Sequence, residues 1–492
     1  MMGIKEEQKE LFSYSIDIDK RLPIDHPLRK IKEHIDFSFV RSEVQKSYGY
    51  NGNESVDPTI IMKMMFLLFY DNVASERELM RTIQYRMDYM WFLGYGLDDE
   101  IPNHSVLSKA RSRWGVEVFE NLFVNIVGQC VKEGLVGGDK IHMDGSLVDA
   151  NASKNSVLQG CPELIKALKD TYREQDNKLD DKDEDDRPKP LGTPYYEPEN
   201  DRLLSTTDPD ATITRQNALG ARPRYKAHRV VDDKHGVITA TETTPGDIEE
   251  NRKLMDMVDQ HEENTSETVK TVVADTQYGT VDNFRSCNQR GIKSHMGDML
   301  GKQLKKGRRE SIFGYEEFKY DAQADVYTCP AGQTLAKRKC KSKRNAYEYA
   351  CSMTICKACN IRSQCTKAKS GNARTILRHN QQEAVDEARK QSHSDAAKQD
   401  RVRRKWLMEG SFADAANNHG FKRARWRRLW RQQIQDYMIA AVQNIRILIK
   451  EVDRRQAAAI AIISEGIMEI SVMAQSVLRQ LFSLPVWARC LC

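Results

Sequence analysis

The sequence predicts a mixed α/β domain, entered through an all-helical N-terminal region and interrupted by a basic, cysteine-rich segment. Three observations carry this. Residues 1–130 hold helix-start signals and apolar runs of helical length. From Gly137 to Asp275, short apolar strands alternate with a hairpin and a helix, and two strands run into an aspartate. Between 300 and 400, five cysteines crowd into Cys340–Cys365, with Cys329 just before them. A chain of 492 residues exceeds one ordinary core; at roughly 100–200 residues per domain it should hold two to four.

Composition narrows the class. With 40% hydrophobic and 30% charged residues, global disorder is excluded. The net charge of +5 says little about partners, whereas the distribution of charge says more. Met1–Leu11 is polar and carries no apolar signal region, so a cytoplasmic chain is expected. The longest charge-free runs in the C-terminal tail are nine residues, where roughly 18 would be needed to span a membrane. Without a signal peptide, the eleven cysteines point to metal rather than disulfides.

In the helical region, Ile60–Tyr70 is apolar on most faces and should be a buried helix, started by Asp57-Pro58. Ser75-Glu76-Arg77-Glu78 is a capping box opening a second helix. Gly94 and Gly96 end that stretch, and Pro102–Ser105 leads into a third helix with Lys109, Arg111 and Arg113. Such helices fit either a DNA-binding domain of helix-turn-helix type or a plain bundle. Beyond Gly137, residues 140–146 read as a strand ending at Asp144. Tyr225–Val231 and Gly236–Thr243 form a hairpin, Asp247–Gln260 has helical spacing, and Thr268–Asp275 is a short buried strand. An insertion lies between the first strand and the hairpin. Asp170–Asp186 carries nine acidic residues and four prolines follow, so residues 170–204 are expected to be a solvated loop.

Asp144 and Asp275 each close a short apolar strand and precede small or polar residues. Reacting groups gather at the carboxyl ends of strands in α/β sheets. Two aspartates there repel unless protonated or bridged by a cation, and hard oxygen donors suit Mg²⁺ or Mn²⁺. A pair of such ions can activate a water or 3′-hydroxyl against a phosphodiester. The plainer reading of each is a turn former or helix N-cap. A third acid should come from a later helix, and Glu409 is the candidate. Residues 401–431 hold ten Lys or Arg against Glu409 and Asp414, a local net of +8, which suits a polyanion. A simple Glu–Arg pair is the alternative. Trp426 and Trp430, four residues apart, read as packing residues before base-stacking platforms. His228 reads as a hydrogen-bonded structural residue, and His142 shares the face of Asp144. There is no P-loop and no dinucleotide fingerprint.

This constellation resembles the DDE transposases of bacterial insertion sequences. Asp57–Arg113, with Trp91-Phe-Leu-Gly94 and Ile101-Pro-Asn-His-Ser105, looks like that family's N-terminal helical domain. His142-Met-Asp-Gly-Ser146, Val273-Ala-Asp-Thr-Gln-Tyr-Gly279 and Glu409–Asp414 with Asn418-His-Gly420 look like its three catalytic blocks. Thr206–Ala211 and Tyr225–His228 match further segments, and the likeness covers roughly residues 15–450. It implies an RNase H-like core spanning 137–299 and 401–450, a mixed sheet flanked by helices. That core would follow an N-terminal all-α DNA-binding domain over 1–130. It would carry a zinc-ribbon-like insertion over 300–400, with an amphipathic tail over 451–492 outside the likeness. It also implies catalytic, Mg²⁺- or Mn²⁺-binding roles for Asp144, Asp275 and Glu409. The family's third block has Tyr and Arg before the Glu and Lys after it; here those positions are Val402, Lys405 and Ala416. Lys405 keeps a charge without the bidentate fork, and Arg404 or Lys422 would have to compensate.

Cys329-Pro-Ala-Gly332 begins like a zinc knuckle, and Cys356-x₂-Cys359-x₅-Cys365 completes a tetrahedral thiolate set for structural Zn²⁺. Cys351 or Cys340 could replace Cys329. Lys337–Arg344 has six basic residues of eight. Six phosphate contacts would give a slope of log K on log salt of roughly −5, without sequence specificity. The expected DNA-contacting residues are Lys337, Arg338, Lys341, Lys343, Arg344, Arg404, Lys405, Lys422, Arg423 and Arg425. The expected function is transposition: metal-dependent cleavage at the element's ends and strand transfer into double-stranded target DNA, by a homodimer or larger assembly near the bacterial nucleoid. The alternatives are an inactive or domesticated zinc-dependent DNA-binding protein, and a metal-dependent nuclease.

Overall fold

The computed structural model describes residues 17–49, 55–180, 202–215, 220–299, 312–342, 345–366 and 372–482. The helical region forms as its caps direct. Helix α1 (Pro58–Tyr70) starts on Asp57, whose side chain accepts the Thr59 N–H at 2.8 Å, with Pro58 in the first turn. Its apolar residues are buried almost all round, so it is the hub of the bundle. Helix α2 (Glu76–Ile83) is capped by Ser75 Oγ accepting from Glu78 N–H at 3.1 Å. Gly94, at φ +80°, ends the helix Met87–Leu93. Helix α3 (Ser105–Trp114) carries the basic trio, but Arg111 is buried. It pairs with Glu76 and lies 3.9 Å over the Trp426 ring. Arg111 thus ties α3 to the core rather than presenting it outward. Helix α4 (Glu117–Lys132) follows.

The central sheet is mixed. Strand β1 (Lys140–Asp149) lies between β2 (Ala221–Asp232), antiparallel, and β4 (Thr271–Ala274), parallel. The hairpin partner β3 (Ile238–Pro245) pairs with β2, and β5 (Lys293–Met296) pairs with β4, giving the order β3–β2–β1–β4–β5. Short strand Thr212–Arg215 adds to the first residues of β2. The mixed sheet behind a helical region is what the sequence led us to expect. One detail differs: β1 does not stop at Asp144. Its antiparallel register with β2 continues from Ile141↔Asp232 to Asp149↔Arg224, well past the last parallel pair, His142↔Val273. Where β4 ends, β2 still supplies hydrogen bonds, so the strand goes on.

Alternation along β1 divides the two faces. Ile141 and Met143 join Leu254, Met257, Val272, Ala274, Phe284 and Met296 beneath α5 (Leu254–Thr265) and α6 (Val281–Gln289). His142 and Asp144 face the other side, toward α8 (Asp395–His419), which follows α7 (Gln382–His393). Helix α9 (Leu429–Phe482) has 54 residues, about 80 Å at 1.5 Å per residue. Its first half is buried against α1, α4 and the sheet. Further along, Ile463, Ile467, Ile470 and Met473 are exposed. Among the described residues no helix is long and apolar enough to cross a membrane.

Part of the acidic insertion also departs from expectation. Pro162–Asp180 is a helix, not a loop. Its Leu, Lys, Glu and Gln are helix formers, and acids are interspersed with Lys166, Lys169 and Arg173. The prolines of the insertion lie outside the described residues. The cysteine-rich segment forms a lobe around a five-stranded antiparallel sheet with its own core of Phe318, Tyr327, Leu335, Tyr349, Cys351 and Ile376.

Candidate active site

The parallel register sets the site. Lys140 is level with Thr271 and His142 with Val273. Two residues further along each segment come Asp144, still on β1, and Asp275, just past the end of β4, whose charge acts on Asp144. Asp275 also caps the turn Thr276–Tyr278, its Oδ1 accepting the Gln277 N–H at 2.7 Å. The N-cap reading and the site reading coexist, because a carboxylate has a second oxygen. The turn is pressed against the loop after β5: a Cβ on Gly279 would stand 1.8 Å from the Gly297 carbonyl oxygen. That contact demands glycine at the end of the Asp-Thr-Gln-Tyr-Gly block.

Asp144 accepts its neighbour's Gly145 N–H at 2.9 Å and a hydrogen bond from Arg404 Nη1 at 2.7 Å. Burial pushes its carboxyl above the ordinary range and the charge of Asp275 adds to this, while Arg404 opposes both. On the same face, His142 Nε2 lies 2.7 Å from Asp233 Oδ1, and Asp400 joins His295 at 2.6 Å to Lys140 at 3.0 Å. The two Asp400 contacts anchor α8 on the sheet. Burial lowers the pKa of His142, and the carboxylate of Asp233 opposes the shift.

Glu409 does not join the pair. Asp400, Arg404 and Met408 turn toward the sheet, and Glu409 falls on the outer side of α8. Its side chain is 67% exposed and pairs with Lys405 at 3.9 Å. Sequence reasoning missed a different acid. Glu250 opens the 3₁₀ turn Glu250–Lys253 after β3, and its side chain is only 13% exposed, 3.6 Å from Lys226 Nζ. It lies directly over Gly145. The available signal was the glycine after Asp144, which leaves room there.

The donor chemistry of Asp144 and Asp275 fits a hard divalent cation: carboxylate oxygens on adjacent strands, mutually repelling. Among the described residues, however, no three His, Cys, Asp or Glu side chains are gathered into a ready-made metal site. The same holds for the cysteines. Cys329, Cys351, Cys356, Cys359 and Cys365 line one apolar pocket, with Cys340 on an exposed strand. Burial raises the Cys365 thiol first, and Cys329, Cys356 and Cys359 raise it further. The donor set suits soft-ligand zinc.

The expected DNA contacts are scattered. Lys337 pairs with Asp325 at 2.9 Å and Lys341 with Glu348 at 3.2 Å. Arg338 reaches the Cys351 carbonyl at 3.4 Å. Lys343 and Arg344 lie outside the described residues. Lys422 donates to Ser146 Oγ at 2.7 Å, beside the site on β1. Arg423 is exposed. Arg425 is spent on the Val73 carbonyl at 2.5 Å and Asn72 Oδ1 at 2.8 Å. Trp426 packs edge-on to Phe69 at 5.8 Å, as a packing residue should. His228 is buried, bonded to Thr244 Oγ1 at 2.9 Å, and burial lowers its pKa to about 3.

A mixed α/β sheet behind a helical region is consistent with a transposase DDE fold. Family models agree at both ends of the chain: residues 16–113 match a transposase domain, and residues 328–449 match a transposase DDE domain. The likeness to DDE transposases is thereby borne out, and DNA transposition is the function these domains indicate. No curated protein matches the chain. A solved piggyBac transposase synaptic complex with hairpin DNA is similar over 87% of this chain and 75% of that one. Its identity is 9% and its TM-score 0.36, too low to carry an argument.

Proposed function

We propose that the protein is the transposase of a bacterial insertion sequence, cutting DNA at the element's ends and joining it to a target. The observation that supports this is the parallel pairing of β1 with β4, which carries Asp144 and, just past the end of β4, Asp275 toward one edge of the sheet. A divalent cation bound there would supply Lewis-acid activation of water or a 3′-hydroxyl and stabilise the leaving oxygen. The chain's own residues do the rest. Asp144 and Asp275 supply hard donors and hold the metal site at the mouth of the sheet. Arg404 and Lys422, on either side of Asp144, offer positive charge to a phosphodiester lying across it. The carbonyl and indole contacts of Arg111 and Arg425 fix α1 and α3 against the region after α8, so the helical domain and the core hold DNA as one body. Glu409 enters as the expected third acid, reaching the site only if α8 rotates or its side chain swings across. A structural zinc on Cys329, Cys356, Cys359 and Cys365 would lock the cysteine-rich lobe, with Cys351 in reserve.

One observation favours a second reading, an inactive DNA-binding descendant: Arg404 neutralises Asp144 while Glu409 points outward. Asp144→Asn separates the two. An active transposase loses cleavage of element-end DNA by about 10³-fold or more, with DNA affinity within about threefold of wild type. Equal, background-level cleavage from both proteins would establish the binder.

A further inference from the structure

We propose that the overhanging C-terminal half of α9 is a self-association seam, through which one copy of this chain winds against the same helix of another as a coiled coil. Nothing in this depends on the transposase reading. The first observation is the overhang. Arg455 still reaches Glu133 at 3.1 Å, but every described side chain from Gln456 to Leu478 is exposed. The helix nevertheless runs on to Phe482, about 40 Å beyond Arg455 at 1.5 Å per residue. The second is what this stretch is made of. Ile463 is 61% exposed, Ile467 63% and Ile470 69%, and Met468, Val472 and Met473 are exposed to a similar degree. So much contiguous apolar surface marks an interaction site. The stretch is also rich in isoleucine, valine and serine and contains Gly466, which are middling or poor helix formers, so the helix needs packing to hold it.

The spacing identifies the occupant. Ile463, Ile467, Ile470 and Ala474 follow one another at intervals of four, three and four residues. The sequence continues that alternation to Ile460 on one side and to Val477 and Leu481 on the other. Apolar residues held at both seam positions over three heptads mark helices that supercoil about each other. The two charged residues of 456–478, Glu465 and Glu469, both fall off the seam. Both are acidic, which argues against DNA as the occupant. A lipid surface calls for a polar face rich in Lys and Arg, and residues 456–478 hold neither. A heptad seam is complementary to itself, so its own copy is the helix that fits it. Isoleucine at both seam positions tilts the assembly toward three or four strands over a parallel pair.

The test is the mass of the full chain in solution without DNA, by sedimentation equilibrium over a dilution series, so that catalysis plays no part. Three proteins are compared: wild type, a seam variant with Ile467→Asp and Ile470→Asp, and an off-seam variant with Met468→Asp and Val472→Asp. All four positions are similarly exposed, so a general loss of apolar surface affects both variants alike. Only a coiled coil buries the first pair and leaves the second in water. The proposal expects wild type to run at the mass of two or more chains. The seam variant should fall to monomer, associating at least about 100-fold more weakly, with the off-seam variant within about threefold of wild type. A wild-type monomer at about 50 µM overturns the proposal, and if that monomer pellets with phosphatidylcholine vesicles the face belongs to a membrane. Equal dissociation of both variants overturns the seam in favour of unspecific apolar contact. An assembly that survives intact in the seam variant overturns it as well and puts the contact elsewhere. Thermal melts accompany each series. Should the seam variant fail to fold, Ile463→Asp alone decides by the same criterion.

Discussion

Asp208 shows how a residue in a recognised block can serve the fold and not the chemistry. It is buried, accepts from Tyr225 Oη at 2.7 Å and from the Arg428 N–H at 3.1 Å, and its Oδ2 is buried with no partner among the described residues. Asp210 accepts the Leu429 N–H at 3.1 Å. Together they cap the start of α9, which explains the Thr206–Ala211 and Tyr225–His228 blocks without a catalytic role. Burial raises Asp208 to about 6. The folded state thus prefers the protonated acid. The stability this gives is complete below the ordinary carboxylate range and is lost as pH rises to about 6. Asp208→Asn keeps the acceptor and removes the charge. It should leave the melting temperature little changed at pH 4 and raise stability at pH 7.5 by up to about 3 kcal/mol. Destabilisation at both pH values would contradict a carboxyl that resists ionisation. At this scale, the pattern of an apolar run followed by Asp and small residues picked out Asp144 and Asp275, although Asp144 lies within β1 and only Asp275 follows the end of its strand. The pattern missed Glu250, because only the tertiary path of the turn after β3 carries it to Gly145.

Elements were legible where their signals are local. The caps at Asp57, Ser75 and Gly94 are in the sequence and in the structure, each satisfying backbone groups within a few residues. The extent of β1 was hidden, since it depends on a partner strand some 80 residues away. Helix α9 is held by a polar network no pattern announces. Arg229 is fully buried, bonded to Gln443 Oε1 at 2.9 Å and 3.5 Å from the buried Asp436, with the neighbouring Phe412 and Phe421 rings 5.1 and 4.7 Å away. Asp436 in turn accepts from Thr243 Oγ1 at 2.6 Å. Removing one partner strands the other charge, so Asp436→Ala should cost about 3–5 kcal/mol. Arg229→Met with Asp436→Leu should cost much less, and a double-mutant cycle of unfolding free energies measures the difference. The cysteine lobe makes its own prediction. Purified without chelator, the chain should carry about one zinc, and Cys356→Ser with Cys359→Ser should abolish it. Elemental analysis reads both. Full metal content in the double variant would remove those thiols from the site.

For the whole molecule, the sequence's mixed core and helical entry were sound because hydrophobic periodicity and strand-ending acids survive without tertiary information. How the parts join was not legible. Arg425 was expected to face DNA, and Arg111 lay on a helix that fitted either a DNA-binding domain or a plain bundle; both are instead rivets between the helical region and the segment after α8. A basic residue's type does not reveal whether its guanidinium meets a phosphate or a buried carbonyl. The central claim is that this assembled body is a transposase working through Asp144 and Asp275. The most direct measurement follows a marker placed between the gene's own flanking ends and scores its excision and joining to target DNA. Joined product from wild type, and none from Asp275→Ala at equal DNA occupancy, is the result this account predicts. Equal background from both, with DNA still bound, would contradict it.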